Sequence, residues 1–143
     1  MKKPTKNDLI AYLFIGSMIL YMLYSKGMIL ADFNFISPQE AVQTITNEEN
    51  NVTIIDVRTP EEYKTLGHIK NAILIPVDQL EGRLKELAHF KSKKILVYCA
   101  SGNRSISASR ILHENGFYTY NINGGIHNWE TNGYEVQNKK LKQ

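Results

Sequence analysis

The 143-residue chain has one cysteine, which excludes an internal disulfide and any zinc site built mainly from cysteines. It has no internal repeat. Its 43% hydrophobic and 22% charged residues carry none of the bias of disordered, collagen-like or low-complexity chains. It also lacks a basic body. Residues 1–26 hold Lys2, Lys3, Lys6 and Lys26 against Asp8, while the other 13 Lys+Arg are balanced by 13 Asp+Glu. Three of those 13 cations are Lys139, Lys140 and Lys142 at the end, so residues 27–138 carry a net charge of −3. A neutral to acidic body without a basic stripe argues against nucleic-acid binding. The length suits one compact domain.

The chain does have a long apolar run. Residues 9–24, LIAYLFIGSMILYMLY, carry no charge, and after Ser25-Lys26-Gly27 the run resumes as Met28-Ile29-Leu30-Ala31. Sixteen helical residues reach roughly 24 Å, and continuing to Leu30 spans a hydrocarbon core of about 30 Å. Lys26 can snorkel to the headgroups, and Tyr12, Tyr21 and Tyr24 suit the interfaces. A core helix or an interfacial helix needs a polar face, which is missing. A cleaved signal peptide shares the basic start and apolar middle, yet no small-x-small site follows. The expectation is a single-pass anchor over 1–31, spanning about 9–30, then a domain over 32–138 and a basic tail over 139–143. Lys2, Lys3 and Lys6 before the span favour an extracytoplasmic body under the positive-inside rule.

From Phe33 onward short apolar runs alternate with amphipathic stretches. Ser37-Pro38-Gln39-Glu40 and Thr59-Pro60-Glu61-Glu62 are capping boxes with proline at the first helical position. They open helices running to about Thr46 and to Gly67. Strands are predicted at Val52–Asp56, Ala72–Ile75, Lys94–Cys99 and Phe117–Ile122. Leu80, Leu84 and Leu87 predict a helix over Gln79–Leu87, a further helix covers Ser105–Asn115, and a last one follows Gly124-Gly125. Gln137 to Gln143 reads as a frayed tail. Alternating strands and helices predict an α/β fold: a mostly parallel sheet flanked by helices, with ligands outside the carboxyl ends of the strands.

Two strand ends stand out, Asp56-Val57-Arg58 and Cys99-Ala100-Ser101-Gly102-Asn103-Arg104. An apolar strand delivers Cys99 into a loop of small residues, and a helix starts at once. Gly102 and Asn103 tolerate unusual backbone angles, so the loop can aim its N–H groups at the sulfur. The helix dipole and Arg104 add positive potential. All three favour the thiolate and mark Cys99 as a nucleophile rather than a small buried hydrophobe.

Three segments in order resemble the rhodanese family of sulfurtransferases: Ile55-Asp56-Val57-Arg58-Thr59-Pro60-Glu61-Glu62-Tyr63 running into Gly67-His68-Ile69, the Cys99–Ser105 loop, and Gly124-Gly125-Ile126-His127-Asn128-Trp129. The resemblance covers about Ile36 to Val136. It implies a rhodanese-like sheet, and Cys99 as the carrier of a sulfane sulfur taken from a donor such as thiosulfate. A thiophilic acceptor, cyanide, a thiol or a protein, then removes that sulfur. It implies donor binding by the backbone of Ala100, Ser101, Gly102, Asn103 and Arg104, support from Asp56 and Arg58, and neither cofactor nor metal. His68 is read as structural, His127 and Trp129 as packing the last helix, and His89 and His113 as surface residues. Cysteine phosphatases on this fold use Cys-x5-Arg, whereas Arg104 stands one residue earlier, and no acid lies in the loop. With one cysteine, the sulfur must leave to an external acceptor. The competing reading is a membrane-anchored docking or sensing module without transfer.

Overall fold

The computed structural model describes residues 5–25 and 33–139. The chain divides into two compact units, residues 1–31 and 32–143.

In the first unit, α1 (Lys6–Ser25) is a 20-residue helix, about 30 Å long. Asp8 accepts hydrogen bonds from the N–H and hydroxyl of Thr5, and Thr5 Oγ1 accepts from the Asp8 N–H, so the first turn is capped. The apolar side chains of α1 are exposed apart from the half-buried Leu23. Among the described residues it is the one helix long and apolar enough to cross a membrane, a test a signal sequence also passes. The resumed run at Met28–Ala31, the flanking Lys2, Lys3 and Lys26, and residues 140–143 of the basic tail lie outside the described residues.

The second unit is built on β1 (Asn34–Ile36), β2 (Val52–Asp56), β4 (Ile73–Leu74), β5 (Lys94–Tyr98) and β6 (Tyr118–Ile122), all parallel in the order β1-β6-β5-β2-β4. β5 lies at the centre and is buried on both faces, as its unbroken Ile95-Leu96-Val97-Tyr98 run requires. Ile95, Val97 and Cys99 face one core with Ala108 and Leu112; Leu96 and Tyr98 face the other with Ile126 and Trp129.

The helices are α2 (Pro38–Asn47), α3 (Pro60–Thr65), α4 (Leu80–Arg83), α5 (Asn103–Glu114) and α6 (Gly125–Thr131). Both capping boxes form as the sequence predicts. Ser37 Oγ accepts from the Glu40 N–H and Thr59 Oγ1 from the Glu62 N–H, while each glutamate accepts from its cap's N–H.

Three elements depart from expectation. The helix predicted over Gln79–Leu87 is a single α-turn, α4, continued by a 3₁₀ segment over Leu84–Phe90. The apolar spacing explains the switch: Leu80 and Leu84 are four apart, but Leu84, Leu87 and Phe90 are three apart. Those three share one face of a 3₁₀ helix and meet one core. The predicted tail is the second departure. Gln137–Lys139 forms β7, antiparallel to β3 (Leu66–His68). Trp129 pins this return, donating from Nε1 to the Glu135 carbonyl at 3.1 Å and packing on Tyr134. The third is a pair of short strands that the sequence pattern did not reveal: β1 at the sheet edge, and β3, which takes Leu66–His68 where the helix from Thr59 was expected to run to Gly67 but stops at Thr65.

Candidate active site

β5 ends at Tyr98 and places Cys99, 1% exposed, on the core face beside Val97. The chain then turns through Ala100 and Ser101 to Gly102, whose φ of 110° is left-handed and caps α5. Only glycine takes that angle without strain. The turn brings the Gly102 N–H to Cys99 Sγ at 3.1 Å, so the sulfur accepts a backbone hydrogen bond at the head of α5. Ser105 Oγ and the Ile106 N–H both donate to the Gly102 carbonyl, which fixes the turn. Ser101 and Asn103 are exposed and Ala100 is half-buried.

The outer side of the loop is held by α6. The Ile126 N–H donates to the Cys99 carbonyl at 2.9 Å and the His127 N–H to the Ala100 carbonyl at 3.1 Å. Gly124 and Gly125 carry φ of 72° and 61°, and a side chain on Gly125 would collide with both carbonyls. The Gly124-Gly125 pair is therefore a requirement of close approach to the cysteine loop. Trp129 is buried in α6 as expected. His127 is a correction: its side chain is exposed, and its contribution is its backbone N–H.

Arg104, the second residue of α5, forms a bidentate ion pair with Glu62. Nη1 donates to Oε2 at 2.8 Å and Nη2 to Oε1 at 2.7 Å. The same Oε2 accepts from the N–H and hydroxyl of Thr59, so Glu62 both caps α3 and grips the loop arginine. Arg104 holds the Glu62 carboxyl down at about 2. Glu62 in turn raises Arg104. The sequence marked Glu62 only as a cap; its place in the Asp56–Tyr63 segment was the one further signal.

Asp56 and Arg58 sit at the end of β2, 0% and 1% exposed. Asp56 Oδ1 accepts from the Arg58 N–H at 2.9 Å and Oδ2 from Arg58 Nη2 at 2.6 Å, while Nη2 also donates to the Gly67 carbonyl at 2.7 Å. Tyr98, the β5 partner of Asp56 in the sheet, lies under the guanidinium, 5.6 Å from its ring centroid. Its hydroxyl accepts from the Ile69 N–H at 3.1 Å. Burial pushes the Tyr98 phenol up. The pair is thus sealed from solvent and ties β2, β3 and β5 together behind the loop. His68 is buried, stacked on Tyr63 at 3.8 Å, and serves packing. His89 and His113 are exposed.

Known proteins resemble this chain. The chain is 31% identical to the uncharacterised protein YqhL of Bacillus subtilis over 132 residues, 88% of this chain and all of that one. It is 37% identical over 83 residues to a tRNA uridine(34) hydroxylase of Cytophaga hutchinsonii, 55% of this chain but only 26% of the hydroxylase. The crystal structure of a rhodanese-related protein from Thermoplasma volcanium superposes with a TM-score of 0.67 at 34% identity, covering 75% of this chain and all of that one. The family profile described as the rhodanese-like domain matches residues 37–132, which take in both Asp56-Val57-Arg58 and the Cys99 loop, and the chain belongs to that family.

Proposed function

We propose that the protein is a sulfurtransferase in which Cys99 carries the sulfur. The Cys99 thiolate attacks the sulfane sulfur of a donor such as thiosulfate. The new S–S bond forms as the donor's S–S bond breaks, and sulfite leaves with the bonding electron pair. Cys99 keeps the transferred sulfur as a persulfide anion. A thiophile, cyanide or a thiolate, then attacks that outer sulfur and Cys99 departs as the thiolate.

The observation that carries this reading is the hydrogen bond from the Gly102 N–H to Cys99 Sγ at the start of α5, with the Arg104 cation in the first turn of the same helix. These groups stabilise negative charge on sulfur before and after transfer. The chain's one cysteine leaves release to an external acceptor. The likeness to the hydroxylase supports the domain and not a tRNA substrate, because residues 27–138 carry a net charge of −3.

The test is intact mass of the full chain in detergent, after thiosulfate and then after cyanide. A gain of one sulfur atom, removed by cyanide and absent in Cys99→Ala, is expected. No gain in a folded protein with a titratable thiol favours the docking module.

The reading places this reaction at a membrane, with α1 as the anchor and residues 32–138 as the sulfurtransferase domain. Its support is the exposed apolar surface of α1. Resistance of the full chain to alkaline carbonate extraction is the expected result. Digestion of the body by protease added outside intact cells is expected for the extracytoplasmic orientation. Release as a shortened soluble body identifies a signal peptide instead.

A further inference from the structure

The loop cation is already occupied. Both ends of the Arg104 fork are taken by Glu62, and Arg104 stands in the first turn of α5, the helix whose head holds the Cys99 sulfur. With the Glu62 carboxyl held at about 2, the carboxylate stays ionised throughout the working pH range. The pair Arg104–Glu62 is therefore electrically neutral, and its carboxylate is held against the arginine of the cysteine loop.

We infer that Glu62 is a specificity-determining residue that biases Cys99 against dianionic donors and toward sulfane donors of lower charge. This rests on the sulfurtransferase reading above. A dianion such as thiosulfate must either displace Glu62 from Arg104 or bind against an uncancelled carboxylate. A monoanionic donor suffers half that repulsion. Methanethiosulfonate is such a donor and reacts by the same bond changes. The thiolate takes its terminal sulfur, the S–S bond breaks, and methanesulfinate leaves with the electron pair. Glu62 touches neither sulfur nor donor, so it acts through Arg104, as a positioning and charge-setting residue.

The experiment compares kcat/KM for thiosulfate and for methanethiosulfonate in the full chain, with cyanide as acceptor. In the wild type the monoanion is expected to be the better donor. Glu62→Gln keeps the capping-box acceptor and removes the charge. At a partly solvated site, each unit of donor charge then gains about a factor of three. Thiosulfate should improve about tenfold and methanethiosulfonate about threefold, through KM with kcat little changed. Glu62→Asp should restore a preference close to that of the wild type. Thr59→Ala breaks the same cap without changing charge, and should leave the ratio of the two donors unaltered.

A ratio that is the same in wild type and Glu62→Gln overturns the inference, as does an equal change in Thr59→Ala. A wild type that strongly prefers thiosulfate also overturns it, independently of any variant. Sulfur transfer from neither donor in the folded wild type overturns the sulfurtransferase reading itself.

Discussion

The carbonyl oxygen of Cys99 accepts a hydrogen bond from the Ile126 N–H at 2.9 Å, and this contact exists because residue 125 has no side chain. Gly125→Ala combines a left-handed φ of 61° with a collision against the Cys99 and Ala100 carbonyls. Gly133 has a similar φ of 82° but open space around a would-be Cβ. Gly133→Ala should cost about 1 kcal/mol of backbone strain. Gly125→Ala should cost about 2–4 kcal/mol and lower the rate of sulfur loading at Cys99, because the backbone must move. Urea unfolding and the loading rate of the two variants check this. Equal losses would show that α6 does not brace the loop.

The Asp56–Arg58 pair is sealed from solvent, so removing one member strands the other. Arg58→Leu should destabilise the domain by about 3–5 kcal/mol, because Asp56 is left buried without its partner. Asp56→Asn in the same chain should recover a large part of that loss, since no bare charge remains. Denaturant titration of the single and double variants decides. A double variant as unstable as the sum of both singles would mean that the pair contributes through packing alone.

Much of this architecture was legible in local sequence. The run Ile95-Leu96-Val97-Tyr98 announced a strand buried on both faces, and Ser37-Pro38-Gln39-Glu40 and Thr59-Pro60-Glu61-Glu62 announced where their helices start. Those signals are short-range, because caps and periodicity act over three or four residues. The Glu62–Arg104 pair spans 42 residues and was invisible for that reason. Glu62 also had a sufficient local explanation as a cap, which hid its second partner. The tail misled in the opposite way. Gln137–Lys139 is polar and lies next to lysines, so composition read as fraying, yet Trp129 holds Glu135 and delivers β7 to β3. At Leu84–Phe90 the leucine spacing fits an α-helix only at its first interval, Leu80 to Leu84, and the final two intervals are of three residues.

Glu62 also sets an acid response. Its carboxyl is held at about 2 in the folded chain against an ordinary 4.5, chiefly by the hydrogen bonds from Arg104. The folded state therefore binds fewer protons than the unfolded state between those values, and stability falls as pH drops. The Glu62 contribution is complete above about pH 4.5–5 and is lost toward pH 2. The difference in stability between wild type and Glu62→Gln should be constant near neutrality and shrink through this window. Chemical unfolding at a series of pH values gives that difference directly. A gap that does not change with pH would show that Glu62 is not held by Arg104 in solution.

β7 offers the last test, because it reaches the Asp56–Arg58 brace at one remove. Leu66 and His68 of β3 pair with Lys139 and Gln137 of β7, and the residue between them, Gly67, gives its carbonyl to Arg58 Nη2. Ending the chain at Val136 removes the strand partner but leaves Trp129, Tyr134 and Glu135 in place. The expected loss is about 1–2 kcal/mol, the scale of a few exposed backbone hydrogen bonds and well below that of Arg58→Leu. Amide exchange should quicken at Leu66 and His68 and stay slow in β5, whose hydrogen bonds lie at the centre of the five-stranded sheet. Global unfolding of the shortened chain would mean instead that β3 needs β7 to hold Gly67 against Arg58, and that the brace behind the cysteine loop depends on the last strand.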